Sequence, residues 1–192
     1  MMSTIVPDSV LPIQSLSTVD QAALVKGEIL LQTRSHTLIG AGVTAQMFLP
    51  LVRSQVWEQI TTYPSWTQFF PDITRSEILQ TVNHPGTKEH RLYQAARKDF
   101  FLLAVQVEIY LKVTETQEQR LQFKLERGSF SDFAADLTLQ DYSSGTILTY
   151  SVEATPLIPV PSLFIQEAIR QDLPGNMRQM RQVICEKATF GL

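Results

Sequence analysis

A single cysteine, Cys185, stands among 192 residues, so no internal disulfide framework can form, and this usage suits a reducing compartment. Histidine is scarce too. His36, His84 and His90 are the only three, and none has the i, i+4 spacing of a helical metal pair. No metal site is expected. Charge of one sign is not concentrated anywhere: the net charge is −3 and no Lys/Arg-rich block occurs, which argues against nucleic acid as a partner. No apolar run approaches the about 18 residues needed to span a bilayer. The richest are Phe100–Val105 and Leu157–Ile165, and two prolines interrupt the second. Met1–Val25 lacks Lys, Arg and a long apolar core, so it fits neither a secretory signal nor a transit peptide, and a cytoplasmic location is the expectation. There is no Gly-x-Ser-x-Gly elbow and no dinucleotide fingerprint. Gly40-Ala-Gly42 is not followed by the Lys-Ser/Thr of a phosphate loop, so no cofactor is expected.

What is present is the pattern of an ordinary globule, with 44% hydrophobic and 18% charged residues. The length suits one domain, placed at residues 26–192, with residues 1–25 as an arm partly disordered or laid over it. Within the arm, Ser17–Leu24 has the makings of a short helix. Pro161–Lys187 is the one segment long enough for a major helix. Ile165, Ile169, Leu173, Met177, Met180 and Ile184 share one apolar face there. Pro174-Gly175 interrupts it, which predicts either a kink or a second helix starting at Pro174 with Asp172 as cap.

Gly42–Pro50 reads as a strand with Val43, Ala45 and Phe48 on one face, while Glu28–Arg34 is short and mixed. Arg53–Thr62 reads as a helix with Ser54 as N-cap and Val56, Trp57 and Ile60 inward. Tyr63-Pro64 ends it, and Ser65–Phe70 makes a second short helix stopped by Pro71. Trp66, Phe69 and Phe70 are three aromatics in one such piece, too many for a deep core. The segment is therefore expected either to anchor on a sheet or to form a flap over a pocket.

From Ile73 the chain reads as repeated strands. Ile73–Val82 and Thr87–Arg97 flank the turn Asn83–Gly86. Phe101–Val113 alternates clearly, and strands over Gln119–Arg127, Phe133–Leu139 and Leu148–Ala154 follow. Turns of a few residues imply an antiparallel meander, whose apolar face needs a helix to cover it. Thr87–Arg97 alternates poorly. Its Arg91, Tyr93 and Arg97 either lie on the surface or, turned inward, need a polar ligand group or internal partner. Asp132 and Asp136 should face away from Phe133 and Leu137 toward solvent.

Three passages resemble a known family. Val56-Trp57-Glu58-Gln59-Ile60-Thr61-Thr62-Tyr63-Pro64-Ser65-Trp66 with Phe70-Pro71-Asp72-Ile73 looks like its "VW..L.DY..W..F.P.I" passage. Gly145–Tyr150 with Pro156 resembles its final strand, and Asp172-Leu173-Pro174-Gly175-Asn176-Met177 the start of its last helix. The family is the START-related SRPBCC superfamily, and its polyketide cyclase/dehydrase-like and coenzyme-Q-binding-like branches are nearest. The likeness covers roughly Gly42 to Glu186. Thr62 departs from the Asp that many relatives carry, and Ala134-Ala135-Asp136 replaces a stretch often holding Gly and Trp, so no role of those residues carries over.

The resemblance implies an α+β helix-grip fold, in which a curved antiparallel sheet wraps a long C-terminal helix and encloses a cavity for a hydrophobic molecule. The residues expected at that ligand site are Trp66, Phe69, Phe70, Arg91, Tyr93, Leu103, Val105, Phe123, Phe133, Tyr150, Ile169, Leu173, Met177 and Met180. Three functions fit this pattern. The first is a carrier for a lipid, isoprenoid quinone, pigment or polyketide-like ring. The second is a cyclase or dehydratase using groups such as Arg91, Tyr93 and Glu108. The third is a module with a closed cavity that meets a protein or a membrane surface through Arg178, Arg181 and Leu157–Ser162.

Overall fold

The computed structural model describes residues 16–37, 40–100, 103–157 and 162–190, and within them all side chains except those of 98–100, 103–105, 162–171 and 189–190. One antiparallel sheet has the order β1-β2-β8-β7-β6-β5-β4-β3. Its strands are β1 (Leu30–Ser35), β2 (Ala41–Leu49), β3 (Ile73–His84), β4 (Thr87–Phe100), β5 (Leu103–Thr116), β6 (Arg120–Gly128), β7 (Phe130–Tyr142) and β8 (Gly145–Pro156). From β3 to β8 the chain is the expected meander, and β2 closes onto β8. Helices α1 (Thr18–Val25), α2 (Arg53–Ile60), α3 (Trp66–Phe69) and α4 (Ser162–Phe190) complete the chain. This is the helix-grip arrangement. Among the described residues no helix is long and apolar enough to cross a membrane.

The mixed segment around Glu28–Arg34 forms edge strand β1, paired from Leu30–Gln46 to Ser35–Ala41. Its alternation is blurred because an edge strand is half solvated; Leu31 packs on the core while Gln32 and Thr33 are exposed. On β2 the two-residue period puts Ala45, Met47 and Leu49 into the main core. Phe48 therefore lies on the opposite face from Ala45, contrary to the sequence reading. It is apolar there because α1 covers it, with Leu24 and Ile147 beside it. Thus α1 packs on the outer side of β2 through Leu24. Ser17 caps α1, its hydroxyl accepting the Asp20 N–H at 3.1 Å.

Two helix expectations need correction. α2 starts after Val52 with no side-chain cap, so Ser54 lies inside the first turn. α4 runs unbroken through Pro174, and Asp172 lies within the helix instead of capping a new one. A proline there removes a backbone donor and crowds the carbonyl four residues back. Tertiary packing outweighs that: Met177, Met180 and Ile184 are all fully buried against the sheet. Arg181 adds a polar tie, donating at 2.9 Å to the Phe48 carbonyl on β2, just beyond the Leu30–Gln46 pair where β1 begins. Gly27, with φ +93, lies against this guanidinium, and a Cβ there would come within 3.1 Å of it.

The outer sheet face is ion-paired. Arg34 meets Glu153 at 2.7 Å, Arg120 meets Asp136, and His36 meets Asp132. Register shifts at Ile73/Arg75, Ile78/Gln80, Tyr110/Leu111 and Phe130/Asp132 mark bulges, which bend and twist a sheet locally. Two of them shape the site.

Candidate functional site

The inner face holds a cavity of ≈ 180 Å³ lined by Trp66, Phe70, Ile73, Gln94, Ala96, Val107, Ile109, Phe130, Phe133 and Tyr150. The α3 segment builds one wall. Thr62 and Pro64 set a single 3₁₀ turn over Tyr63–Ser65, and α3 follows for one turn. The Trp66 indole N–H donates to the Ile60 carbonyl at 2.9 Å, which fixes the ring direction. Trp66, Phe69 and Phe70 are then all buried, at 2%, 0% and 9% exposure, so the expectation that three aromatics could not share a core fails. They succeed because Phe69 turns away from the cavity while Trp66 and Phe70 lie side by side along it, their centroids 5.7 Å apart. Trp66 meets Phe123 at 5.2 Å, and Phe70 meets Tyr150 at 6.0 Å between ring centroids. Phe69 goes into the core without lining the cavity.

The bulges explain residues that alternation alone misses. Along β7, Phe133, Ala135, Leu137 and Leu139 face inward, so strict parity would send Phe130 outward. The extra residue between Phe130 and Asp132 in the pairing with β8 restores it to the inner face, 5.6 Å from Phe133. The shift between Ile73 and Arg75 likewise lets both Ile73 and Ser76 point inward. On β4 the inward set is His90, Leu92, Gln94 and Ala96, mixing polar and small residues, which is why the strand alternates poorly.

That register places Arg91 and Tyr93 on the outer face, away from the cavity. Arg91 pairs with Glu126 at 2.8 Å. Tyr93 stacks with Tyr110 at 5.0 Å, under the guanidinium of Arg75 at 5.4 Å. The surface alternative for these two is the one observed. Of the other expected residues, Trp66, Phe70, Phe133 and Tyr150 come together around the cavity. Phe123, Met177 and Met180 are buried in the core beneath it, and Leu173 is half-buried against that core. The side chains of Leu103, Val105 and Ile169 lie outside the described residues. Ile73, Gln94, Ala96, Val107, Ile109 and Phe130 were not anticipated. For Val107 and Ile109 the signal was present in the alternation of β5, whereas Gln94 and Ala96 carry none.

Two polar groups interrupt the apolar wall. Ser76 Oγ donates to the Tyr63 carbonyl at 2.8 Å, and Gln94 Nε2 lies 3.2 Å from Ser76 Oγ. Because the single hydroxyl proton of Ser76 is committed to Tyr63, its oxygen accepts from Gln94. This fixes the amide orientation. The second group is the Tyr150 hydroxyl. Burial pushes this phenol above its usual value, so it is a protonated donor.

A separate buried polar cluster lies further along the same strands. Glu115 Oε1 accepts from the Tyr63 hydroxyl at 2.8 Å and pairs with His90 Nε2 at 2.9 Å, while Thr81 Oγ1 is 2.8 Å from His90 Nδ1. With Nε2–H donated to the carboxylate, Nδ1 accepts from Thr81, which assigns the neutral tautomer.

Comparison with protein families matches residues 49–181 to polyketide cyclase / dehydrase and lipid transport. Comparison with curated protein sequences gives no match. Among solved structures, a STAR-related lipid transfer protein from Xanthomonas axonopodis superposes with a TM-score of 0.62 at 14% identity, covering 81% of this chain and 93% of that one. A START superfamily protein from Mycobacterium smegmatis gives 0.58 at 12%, covering 86% and 100%. The Zhui aromatase/cyclase from Streptomyces sp. R1128 gives 0.54 at 12%, covering 82% and 94%. At such identities these structures speak for the fold. With its sheet, its C-terminal helix and a match over most of its length, the chain belongs to the polyketide cyclase/dehydrase and lipid transport family.

Proposed function

We propose that this protein binds a hydrophobic small molecule in the cavity between the sheet and the α3 aromatic segment. The observation that carries the reading is the ≈ 180 Å³ cavity, whose lining is apolar except for Gln94 and Tyr150. An apolar ligand entering it gains roughly 25 cal/mol for each Å² of apolar surface removed from water. The names of the lipid-transfer and aromatase/cyclase structures that share the fold are in keeping with such a ligand. The ionisable cluster of His90, Glu115 and Tyr63 does not line the cavity, so binding is favoured over proton-transfer chemistry there.

The test is native mass spectrometry of freshly purified protein, with extraction and identification of retained molecules, followed by calorimetric titration with small apolar rings. One saturable site for such rings is the expected result. Absence of both a retained molecule and any saturable binding would remove the basis of the reading.

A further inference from the structure

The cavity's size and its two polar groups together narrow the ligand. An engineered apolar cavity of about 150 Å³ holds benzene, and pockets for drug-sized ligands run from about 300 Å³ upward. At ≈ 180 Å³ this cavity suits one compact ring system or the ring-bearing end of a longer molecule. A diacyl lipid exceeds it.

Gln94 gives Nε2 to Ser76, which leaves its carbonyl oxygen as an acceptor with no partner among the described residues. Nor does the Tyr150 hydroxyl have a hydrogen-bond partner among them. Both atoms line the open cavity, where water can reach them, so an apolar ligand that displaces the water leaves them unsatisfied, and a ligand atom that pairs with them avoids that loss. Gln94 asks for a donor. Tyr150, free to rotate its hydroxyl, offers one.

We infer that the site selects a compact ring compound bearing both a hydroxyl, which donates to Gln94 Oε1, and a carbonyl-type oxygen, which accepts from the Tyr150 hydroxyl. This rests on the apolar-ligand reading above and specifies its ligand. Trp66 and Phe70 supply the flat wall for the ring, their own centroids 5.7 Å apart and their planes 30° from parallel.

The experiment titrates ethylbenzene, 4-ethylphenol, acetophenone and 4-hydroxyacetophenone into the wild-type protein and into the Tyr150→Phe and Gln94→Met variants. In wild type, the hydroxyl and the carbonyl should each tighten binding by about tenfold over ethylbenzene. Tyr150→Phe should bring the ratio of acetophenone to ethylbenzene affinity close to one, and Gln94→Met should do the same for 4-ethylphenol. Ethylbenzene that binds as tightly as its oxygenated relatives to wild type overturns the polar selection while leaving the apolar site standing. The polar selection is likewise overturned if the variants fold, by near-ultraviolet circular dichroism, yet keep the wild-type ratios. Failure of all four compounds to bind wild-type protein overturns the apolar-ligand reading itself.

Discussion

Tyr63 and Glu115, 52 positions apart in the chain, meet through a hydrogen bond of 2.8 Å from the phenol to Oε1, buried where the α3 segment joins β5. Tyr63 is fully buried, and burial together with Glu115 drives its phenol far above the ordinary tyrosine value. The bond thus fastens the start of the cavity's aromatic wall to the sheet. Tyr63→Phe deletes one donor to a carboxylate that remains buried beside His90. The expected loss is about 1–3 kcal/mol of unfolding free energy. Urea unfolding monitored by tryptophan fluorescence checks it, and an unchanged midpoint would show that the bond contributes nothing net.

His90 gives the fold a pH dependence. Burial, the largest influence, pushes its imidazole below the usual value; Glu115 opposes this and Lys88 adds to it. A histidine depressed in the folded state binds protons more readily when unfolded. Its contribution is therefore complete above the unfolded value near pH 6.5 and is lost as pH falls from there toward the folded value. Stability should decline as pH is lowered from 7 to 5. His90→Gln, which cannot take up that proton, should flatten the decline relative to wild type. Melting curves of both proteins across that range decide it, and parallel curves would assign the dependence to other groups.

Arg178 and Arg181 look alike in sequence, as two cations of one basic stripe, yet the fold treats them differently. Arg178 is exposed, whereas Arg181 donates to the Phe48 carbonyl and packs on Gly27. Arg178→Glu should leave stability within about 0.5 kcal/mol, as for surface substitutions generally. Arg181→Glu places an acceptor against a carbonyl acceptor and should destabilise by about 1–3 kcal/mol. Charge reversal of the pair is thus no neutral probe of a docking surface, and equal midpoints for the two single variants would contradict the assignment.

The architecture was legible because period-two alternation in β5, β6 and β7 is strong and the helical spacing from Leu173 to Ile184 is regular. The site was legible where large aromatics mark it, at Trp66, Phe70, Phe133 and Tyr150. It was hidden where local register decides. Nothing in the spelling of β7 announces the extra residue that brings Phe130 inward beside Phe133. On β4 the burial of His90 and Gln94 depends on partners elsewhere, Glu115 and Ser76, that make those polar residues tolerable inside. The same register sends Arg91 and Tyr93 outward, although their chemistry suggested a pocket. Met177 and Met180, expected at the ligand site, are buried in the core instead.

Ala96 offers the cleanest way to close the cavity. It is a half-buried small residue on the inner face of β4, opposite Val107 on β5, and both line the open space. Ala96→Phe adds a ring that the empty volume can receive, so the overpacking penalty of about 1–3 kcal/mol expected in a filled core should be largely avoided. If the cavity is the ligand site, the variant keeps a wild-type unfolding free energy in urea to within about 1 kcal/mol while its affinity for small aromatic probes falls at least tenfold. Leu121→Phe serves as the contrast, because Leu121 is fully buried in the core and does not line the cavity. There the same added bulk should lower stability. Calorimetric titration and urea unfolding of the two variants separate occupancy of the cavity from general disturbance of the core. Undiminished probe binding to a folded Ala96→Phe protein would place the site elsewhere.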